Sequence, residues 1–458
     1  MSTKSRYEID MINGPLAGKI LRFALPFMAA NIIQLLFNAA DVVVLGKFAG
    51  DTAQAAVTST TALINLLINL FVGLGVGVNV VVARALGSGD RSRISTVVHT
   101  AIAVGIIGGA FLVVVGEVFA PILLRLMGSP EHIIGLSSMY LRVYFIGLPG
   151  ALVYNFASAL LRAQGDTRRP MYYLSFAGVV NVVLNLIFVI FFHWDVAGVA
   201  AATAISKYVS AILVVWCLMQ ETGVLHFAPA KMRVDWSALK DIARIGLPAG
   251  FQASLFSLSN VTIQSAINGM GEVVMAGSGA AVNIGGFIYT TANAFYQSTM
   301  TFTSQNMGAG KPERVDKVVK WNMLFAVAVP GLVGLTAYSA GPWLLGLYTN
   351  DPEVVRQGLI RMSLVSNFYS ICGVMEVAIG ALRGMGYSFV TMITTLLGSC
   401  GLRIVWVGTV FAAVGSAQSL YVCYPITWGV TGLVLLVCFF ILRPRAYAKA
   451  IAPKEEKL

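Results

Sequence analysis

The chain has 458 residues, of which 57% are apolar and only 11% charged, with a net charge of +11 and a mean hydropathy of +0.79. Soluble domains carry about 25% charged residues, so soluble, disordered and disulfide-stapled secreted classes are excluded, leaving a polytopic membrane protein. At about 20 apolar residues per span plus a turn, the length accommodates twelve spans.

The opening stretch, MSTKSRYEIDMINGPLAGKILRF, is polar for too long to be a cleaved signal peptide and reads as a cytoplasmic tail leading into the first helix. Apolar runs then follow at 20–46, 53–83, 95–126, 134–158, 171–192, 196–219, 241–267, 273–303, 318–348, 357–380, 388–413 and 417–442. Between them lie Gly, Pro and charge clusters such as GSGDRSR (87–93), RAQGDTRR (162–169) and GAGKPER (308–314). The runs are too long and too uniformly apolar for the alternating strands of an outer-membrane barrel, so twelve transmembrane helices are expected.

Lysine and arginine set the expected orientation. Placing both tails and the loops after helices 2, 4, 6, 8 and 10 on one side puts 24 of the 31 basic residues there. The opposite loops hold Lys47, Arg125 and Arg356, while Arg142, Lys207, Arg361 and Arg403 lie within or near spans. By the positive-inside rule both termini are cytoplasmic. The basic face then meets anionic lipid headgroups, and a nucleic-acid partner is not implied.

An internal repeat organises the chain. KILRFALP (19–26) recurs as DIARIGLP (241–248), ARALGSGDR (83–91) as SQNMGAGKP (304–312), and GSPE (128–131) as NDPE (350–353). ALLRAQGDT (159–167) recurs near IGALRGMGYS (379–388), with Arg162 over Arg383, and all four offsets are 221 or 222 residues. Each repeat holds six helices, so the halves insert with the same orientation and are related by a pseudo-twofold axis along the membrane normal. The expected division is an amino-terminal bundle at 1–219, a cytoplasmic linker at 220–240, a carboxyl-terminal bundle at 241–445 and a tail at 446–458. Two similar bundles around a central interface suit alternating access to a midplane site.

Other chemistries find little footing. The five cysteines (Cys217, Cys372, Cys400, Cys423 and Cys438) show no CxxC spacing, and His99, His132, His193 and His226 form no metal-ligand cluster. There is no Walker A motif and no nucleophile elbow, and GLGVGVNV (73–80) has no preceding strand, so close helix packing explains its glycines better than a nucleotide. No cofactor or metal is expected, and a membrane-embedded enzyme would need clustered Asp or His at one face.

The segments PFMAANIIQLLFNAADVVVLG (26–46), LLRAQGDTRRPMYYL (160–174), AGVAAATAIS (197–206), SQNMGAGK (304–311), GALRGMGYS (380–388) and YPITW (424–428) together resemble the multidrug and toxic compound extrusion family of bacterial transporters. The resemblance runs through both halves. It implies a bacterial plasma-membrane antiporter that exports small organic, often cationic, compounds against inward H+ or Na+, with a monomer as the expected state. A lipid-linked or polysaccharide exporter of the same superfamily is the alternative; that activity goes with a strongly basic central cavity, whereas this chain's central polar residues are mostly neutral.

An ionisable group at membrane depth marks function by default. Asp41, in FNAADVVVLG of helix 1, can alternate between protonated and ion-bound states; the rival reading is a helix-end Asp facing water. The resemblance adds Asn181, Asn185 and Thr203 on helices 5 and 6, with Tyr140 on helix 4. Asn181 and Asn185 are i,i+4 and share a face whose carbonyl oxygens suit a hard cation. Many members carry a second carboxylate where this chain has Asn185, and this chain has Lys207 four residues after Thr203. An ion pair between Lys207 and Asp41 in one state, competing with an external cation, favours protons over Na+.

In the carboxyl-terminal half the acid within a span is Glu376, with Arg403 as the expected partner, either as a switch or with Glu376 as counter-ion for a cationic substrate; the rival reading is a static pair that locks the two helices. Cavity lining is expected from Gln34, Asn38, Asn155, Asn260, Gln264, Asn283, Tyr289 and Asn293, joined by Met275, Phe287 and Met300. Pro26 and Pro248, at equivalent positions, are expected to kink helices 1 and 7 as a gate.

Overall fold

The computed structural model describes residues 7–45, 48, 51–126 and 131–451. Lys47 and most of the GSPE motif lie outside them, as do the outermost tail residues. Among the described residues all twelve expected spans are helical and no strand occurs. In the first half, α1 is Ala17–Val44, α2 Asp51–Ser88 and α3 Arg91–Leu126. Helix α4 is bent by 43°, running Glu131–Ile146 and then Leu148–Ala163. Helix α5 is Arg168–Leu186 with a π-helical turn at Ile187–Phe191, and α6 is Asp195–Gln220. In the second half, α7 is Trp236–Asn268, α8 Glu272–Gly308 and α9 Glu313–Ser339. Helix α10 runs Pro352–Val365 and resumes as Tyr369–Gly384. Helix α11 starts as Ser388–Thr395 and reaches Val414 through two π-helical turns; α12 is Ala417–Tyr421 followed by Cys423–Ile451.

Among the described residues ten helices are long and apolar enough to cross a membrane, eleven when the arms of α4 count as one span. The twelfth is α7, whose second half is interrupted by Gln252, Ser254, Ser257, Asn260 and Gln264. Large apolar side chains remain exposed along the helices, such as Phe111, Val114 and Val118 on α3 and Leu433, Phe440 and Ile441 on α12. Such stripes suit a surface that faces lipid.

The helices form two compact units. Unit 1 holds residues 1–9 and 29–250; unit 2 holds 10–28 and 251–458. This differs from the expected bundles at two places. Residues 10–28, the start of α1, belong with unit 2, and the linker with the start of α7 belongs with unit 1. The crossings, after Met28 and after Gly250, are 222 residues apart, the same offset as the sequence echoes, and each falls two residues beyond its proline.

The repeat also appears in the helix ends. At the end of α2, Gly89 has φ 71° and Asp90 N donates to Ala85 O; at the end of α8, Gly310 has φ 66° and Lys311 N donates to Asn306 O. Gly165 (φ 95°) with Asp166 N to Leu161 O closes α4, and Gly386 (φ 97°) with Tyr387 N to Leu382 O closes α10. A left-handed glycine followed by a bond back over the last turn satisfies carbonyls that the helix leaves open.

Unit 1 packs around Val78, Val82, Val97, Phe156, Leu160, Val214 and Leu218. Its glycines set the approach of two helices. A Cβ at Gly73 or Gly77 of α2 would strike the backbone of Gly250 or Ile242 on α7, as small-residue packing predicts for GLGVGVNV. The 220–240 segment is folded onto this unit. Leu225 and Phe227 enter the core, Phe227 N donates to Leu218 O at 3.0 Å, and Ala228 N donates to His99 Nε2 at 3.1 Å. In unit 2 a smaller cluster gathers Ala280, Ala281, Ile284, Leu345 and Met362.

Candidate coupling and substrate sites

In unit 1 glycines bring together the helices that carry the polar residues. A Cβ on Gly178 of α5 would overlap the ring of Phe37 on α1, so only Gly permits this approach. Phe37 and Asp41 are one turn apart on α1, as are Gly178, Asn181 and Asn185 along one face of α5. At the bend of α4, a Cβ on Gly147 would lie 2.7 Å from Ala204 Cα and 3.3 Å from Lys207 Cδ, so α6 seats directly against the break. The freed carbonyl of Ile146 accepts from Tyr208 Oη at 2.7 Å.

The result is a connected polar chain. Asn185 Nδ2 donates to Asp41 Oδ1 and, at 3.4 Å, to Asn181 Oδ1. Asn181 Nδ2 donates to Thr203 Oγ1 at 3.3 Å. Asn185 is fully buried and its Oδ1 has no hydrogen-bond partner. Tyr140 is buried, its ring 5.7 Å from that of Tyr144. Five of the six expected coupling residues, Asp41, Tyr140, Asn181, Asn185 and Thr203, thus lie on facing parts of α1, α4, α5 and α6.

Lys207 is placed with them but not as an ion pair. Its Nζ lies 3.2 Å from the centroid of the Tyr144 ring and makes no hydrogen bond. Among the described residues no carboxylate comes within 4 Å of it, although it is near enough to act on Asp41 through its charge. The Asp41–Lys207 pair expected in one state is therefore not formed in this one. The aromatic face substitutes as a counterpart for the desolvated ammonium. Tyr144 was not singled out from the sequence, although it sits one turn after Tyr140.

In unit 2 the expected Glu376–Arg403 pair is absent. Glu376 is buried and accepts from Tyr289 Oη at 3.1 Å. Arg403 instead donates to Asn260 Oδ1 at 3.3 Å and Thr427 Oγ1 at 3.4 Å, with its guanidinium 4.5 Å from the Tyr424 ring centroid. The reason is register: α11 aims Arg403 at α7 and α12, while Glu376 faces α8. Two further buried arginines accompany it. Arg361 donates to Ser278 Oγ at 2.9 Å and Tyr424 Oη at 3.3 Å; Arg383 donates to Tyr296 Oη at 2.6 Å and Gln252 Oε1 at 2.8 Å. Arg361 was visible in the sequence as a cation within a span, and Arg383 as the echo of Arg162.

The expected lining residues divide. Gln34, Asn38, Asn260, Gln264, Asn283 and Tyr289 are exposed, Asn155 and Asn293 half-buried. Gln264 is tied to Asn268 at 2.8 Å and Asn155 to its own helix through Ala151 O at 3.0 Å. Met300 is fully buried under Tyr296 and belongs to the packing of unit 2. Pro26 and Pro248 lie inside continuous helices, α1 and α7.

Comparison with known proteins gives the family. The MatE family model matches residues 26–187 and 248–407, one segment in each half. The chain is 25% identical over 400 residues to the "Probable multidrug resistance protein YpnP" of Bacillus subtilis (strain 168), covering 86% of this chain and 88% of that protein. It is 26% identical over 443 residues to the FAD transporter of Shewanella oneidensis, covering 94% and 95%. Among solved structures it is similar to MATE in complex with MaL6, with a TM-score of 0.90, 20% identity and coverage of 97% of this chain and all of that one. The chain belongs to the MatE family, the multidrug and toxic compound extrusion transporters, and is a multi-pass membrane transporter with the two-unit fold of that family.

Proposed function

We propose that the chain is a cation-coupled antiporter of the bacterial plasma membrane, with both termini cytoplasmic, that exports small organic compounds by alternating access. The observation that carries the coupling is the Asp41–Asn185–Asn181–Thr203 chain, with Lys207 beside it. Protons fit this cluster better than Na+. A hard cation needs several oxygens around it, and here Asn185 turns an N–H toward the carboxylate while an ammonium already stands nearby.

Asp41, when ionised, accepts from Asn185. When protonated its hydroxyl becomes a donor, and Asn185 Oδ1, which has no partner, is the acceptor within the same amide. The exchange therefore needs the amide to turn. Asp41 rides on α1, which carries Pro26 and passes from unit 2 to unit 1 after Met28. A change in its hydrogen bonds thus acts on a helix that belongs to both units and lacks a backbone hydrogen bond at its proline.

Efflux of organic probes from proteoliposomes, ethidium as a cation and carboxyfluorescein as an anion, with a pH gradient and a Na+ gradient imposed separately, tests this reading. The pH gradient alone is expected to drive it. Full-rate efflux on the Na+ gradient alone overturns proton coupling, and no gradient-driven movement of any organic probe overturns antiport.

A cationic cargo, the first expectation, has Glu376 to rest on, the one buried carboxylate among the described residues of unit 2. The second reading, an exporter of larger anionic compounds such as lipid-linked or polysaccharide substrates, is favoured by the three buried arginines of the same unit. A relative named an FAD transporter, whose named cargo carries a pyrophosphate, supports an anionic cargo in general.

A further inference from the structure

Unit 2 buries Arg361, Arg383 and Arg403 at 7%, 6% and 2% exposure. None has a carboxylate within 4 Å among the described residues. A buried charge normally has an opposite charge beside it, because neutral dipoles replace only part of its hydration. Arg361 and Arg403, without one, are an imbalance that the fold itself does not need.

Arg383 is accounted for. It closes the end of α10 with three neutral acceptors, Tyr296, Gln252 and Thr391. Arg361 and Arg403 are different, because they converge on one side chain. From α10, Arg361 reaches the Tyr424 hydroxyl and lies 5.2 Å from its ring centroid; from α11, Arg403 lies 4.5 Å from the same centroid. Two guanidinium groups thus share one phenol ring. Their remaining bonds go to Ser278, Asn260 and Thr427, so among the described residues fewer than half of their N–H groups find an acceptor.

One further observation points to an oxygen ligand, and a second to a functional placement of Arg403. Tyr421 is fully buried 5.0 Å from Arg361, and its hydroxyl has no partner. Arg403 is carried on a short α-helical piece, Leu402–Trp406, between π-helical turns at Leu396–Gly401 and Val407–Phe411. Such turns cost regular hydrogen bonds and recur where a side chain is aimed for function.

We propose that Arg361, Arg403, Tyr424 and Tyr421 form a subsite for the acidic group, a carboxylate or a phosphate, of the exported compound. This rests on the export reading and assigns its cargo a negative charge. Guanidinium forks match carboxylate and phosphate oxygens in pairs, the tyrosine hydroxyls add neutral donors, and an arriving anion cancels the repulsion between the arginines. An organic cation meets like charge there.

The test is the fluorescence anisotropy of carboxyfluorescein with the full chain in neutral detergent, where no gradient is needed. Saturable binding, displaced by inorganic phosphate and weakened about tenfold or more in Arg361→Gln and in Arg403→Gln, is expected. The melting temperature of the same variants separates ligand binding from scaffolding. Removing one of two repelling charges is expected to leave it unchanged or raised, whereas a structural arginine lowers it. Absence of saturable binding to the wild type overturns the proposal, as does equal binding by both variants. Displacement by phosphatidylglycerol micelles but not by phosphate also overturns it, since the site then belongs to a lipid headgroup. If binding survives while proteoliposomes show no gradient-driven transport, the subsite stands and the antiport reading fails.

Discussion

Replacing Gly178 by Ala places a methyl group in the ring of Phe37, and the structure indicates how large the consequence is. Overpacking of a fitted contact costs about 1–3 kcal/mol, against a gain of about 1 kcal/mol for Ala over Gly in a helix. The loss of thermal stability is therefore small. The local effect is larger, because the same contact holds α1 against α5 where Asn185 donates to Asp41. A hydrogen bond to a charged acceptor contributes about 1.5–3 kcal/mol, so weakening it reduces the paired state about tenfold or more. Proton-driven efflux from proteoliposomes is expected to fall by about that factor, while the melting temperature in detergent drops by only a few degrees. Adding Phe37→Leu, which removes the ring edge, is expected to restore most of the efflux. Wild-type efflux in Gly178→Ala refutes the reasoning, and so does a double variant no better than the single one.

Further outcomes follow from the same geometry. Lys207→Gln removes the resident ammonium and leaves oxygen groups around Asp41, so Na+ is expected to raise the melting temperature of the variant relative to K+, an effect absent in the wild type. Gly73→Val drives a branched side chain into the Gly250 backbone, which no rotamer change relieves, and a folded, monodisperse protein is not expected by size-exclusion chromatography. Tyr289→Phe deletes the donor to buried Glu376, and a drop of about 1–3 kcal/mol in stability is expected in chemical denaturation.

Hydropathy was enough to read the twelve spans, because lipid imposes length and apolarity on every helix, and the four echoes at offsets of 221 or 222 residues were enough to read the duplication. The ends of the repeats were legible for the same kind of reason: the glycines at 89, 165, 310 and 386 are forced by left-handed caps. The unit boundary was not legible. It falls inside α1 and α7, where nothing in the local composition changes, and depends on what each half of a helix packs against. At the site, helical spacing put Asn181 with Asn185 and Thr203 with Lys207, and Asn181 bonds to both Asn185 and Thr203. Pairing across helices was misjudged for Arg403, since opposite charge suggested Glu376 while register delivered Tyr424 and Asn260. The role of Tyr144 was hidden because an aromatic counterpart to Lys207 has no motif.

The most direct measurement compares wild type and Asp41→Asn in the same proteoliposome preparation, following proton entry together with efflux of the organic probe, ethidium or carboxyfluorescein, that the wild type exports under an imposed pH gradient. Efflux and proton entry are expected to rise together in the wild type, and both to be lost in Asp41→Asn while the protein remains folded. Coupled efflux that persists in Asp41→Asn contradicts the assignment of coupling to the Asp41–Asn185 cluster.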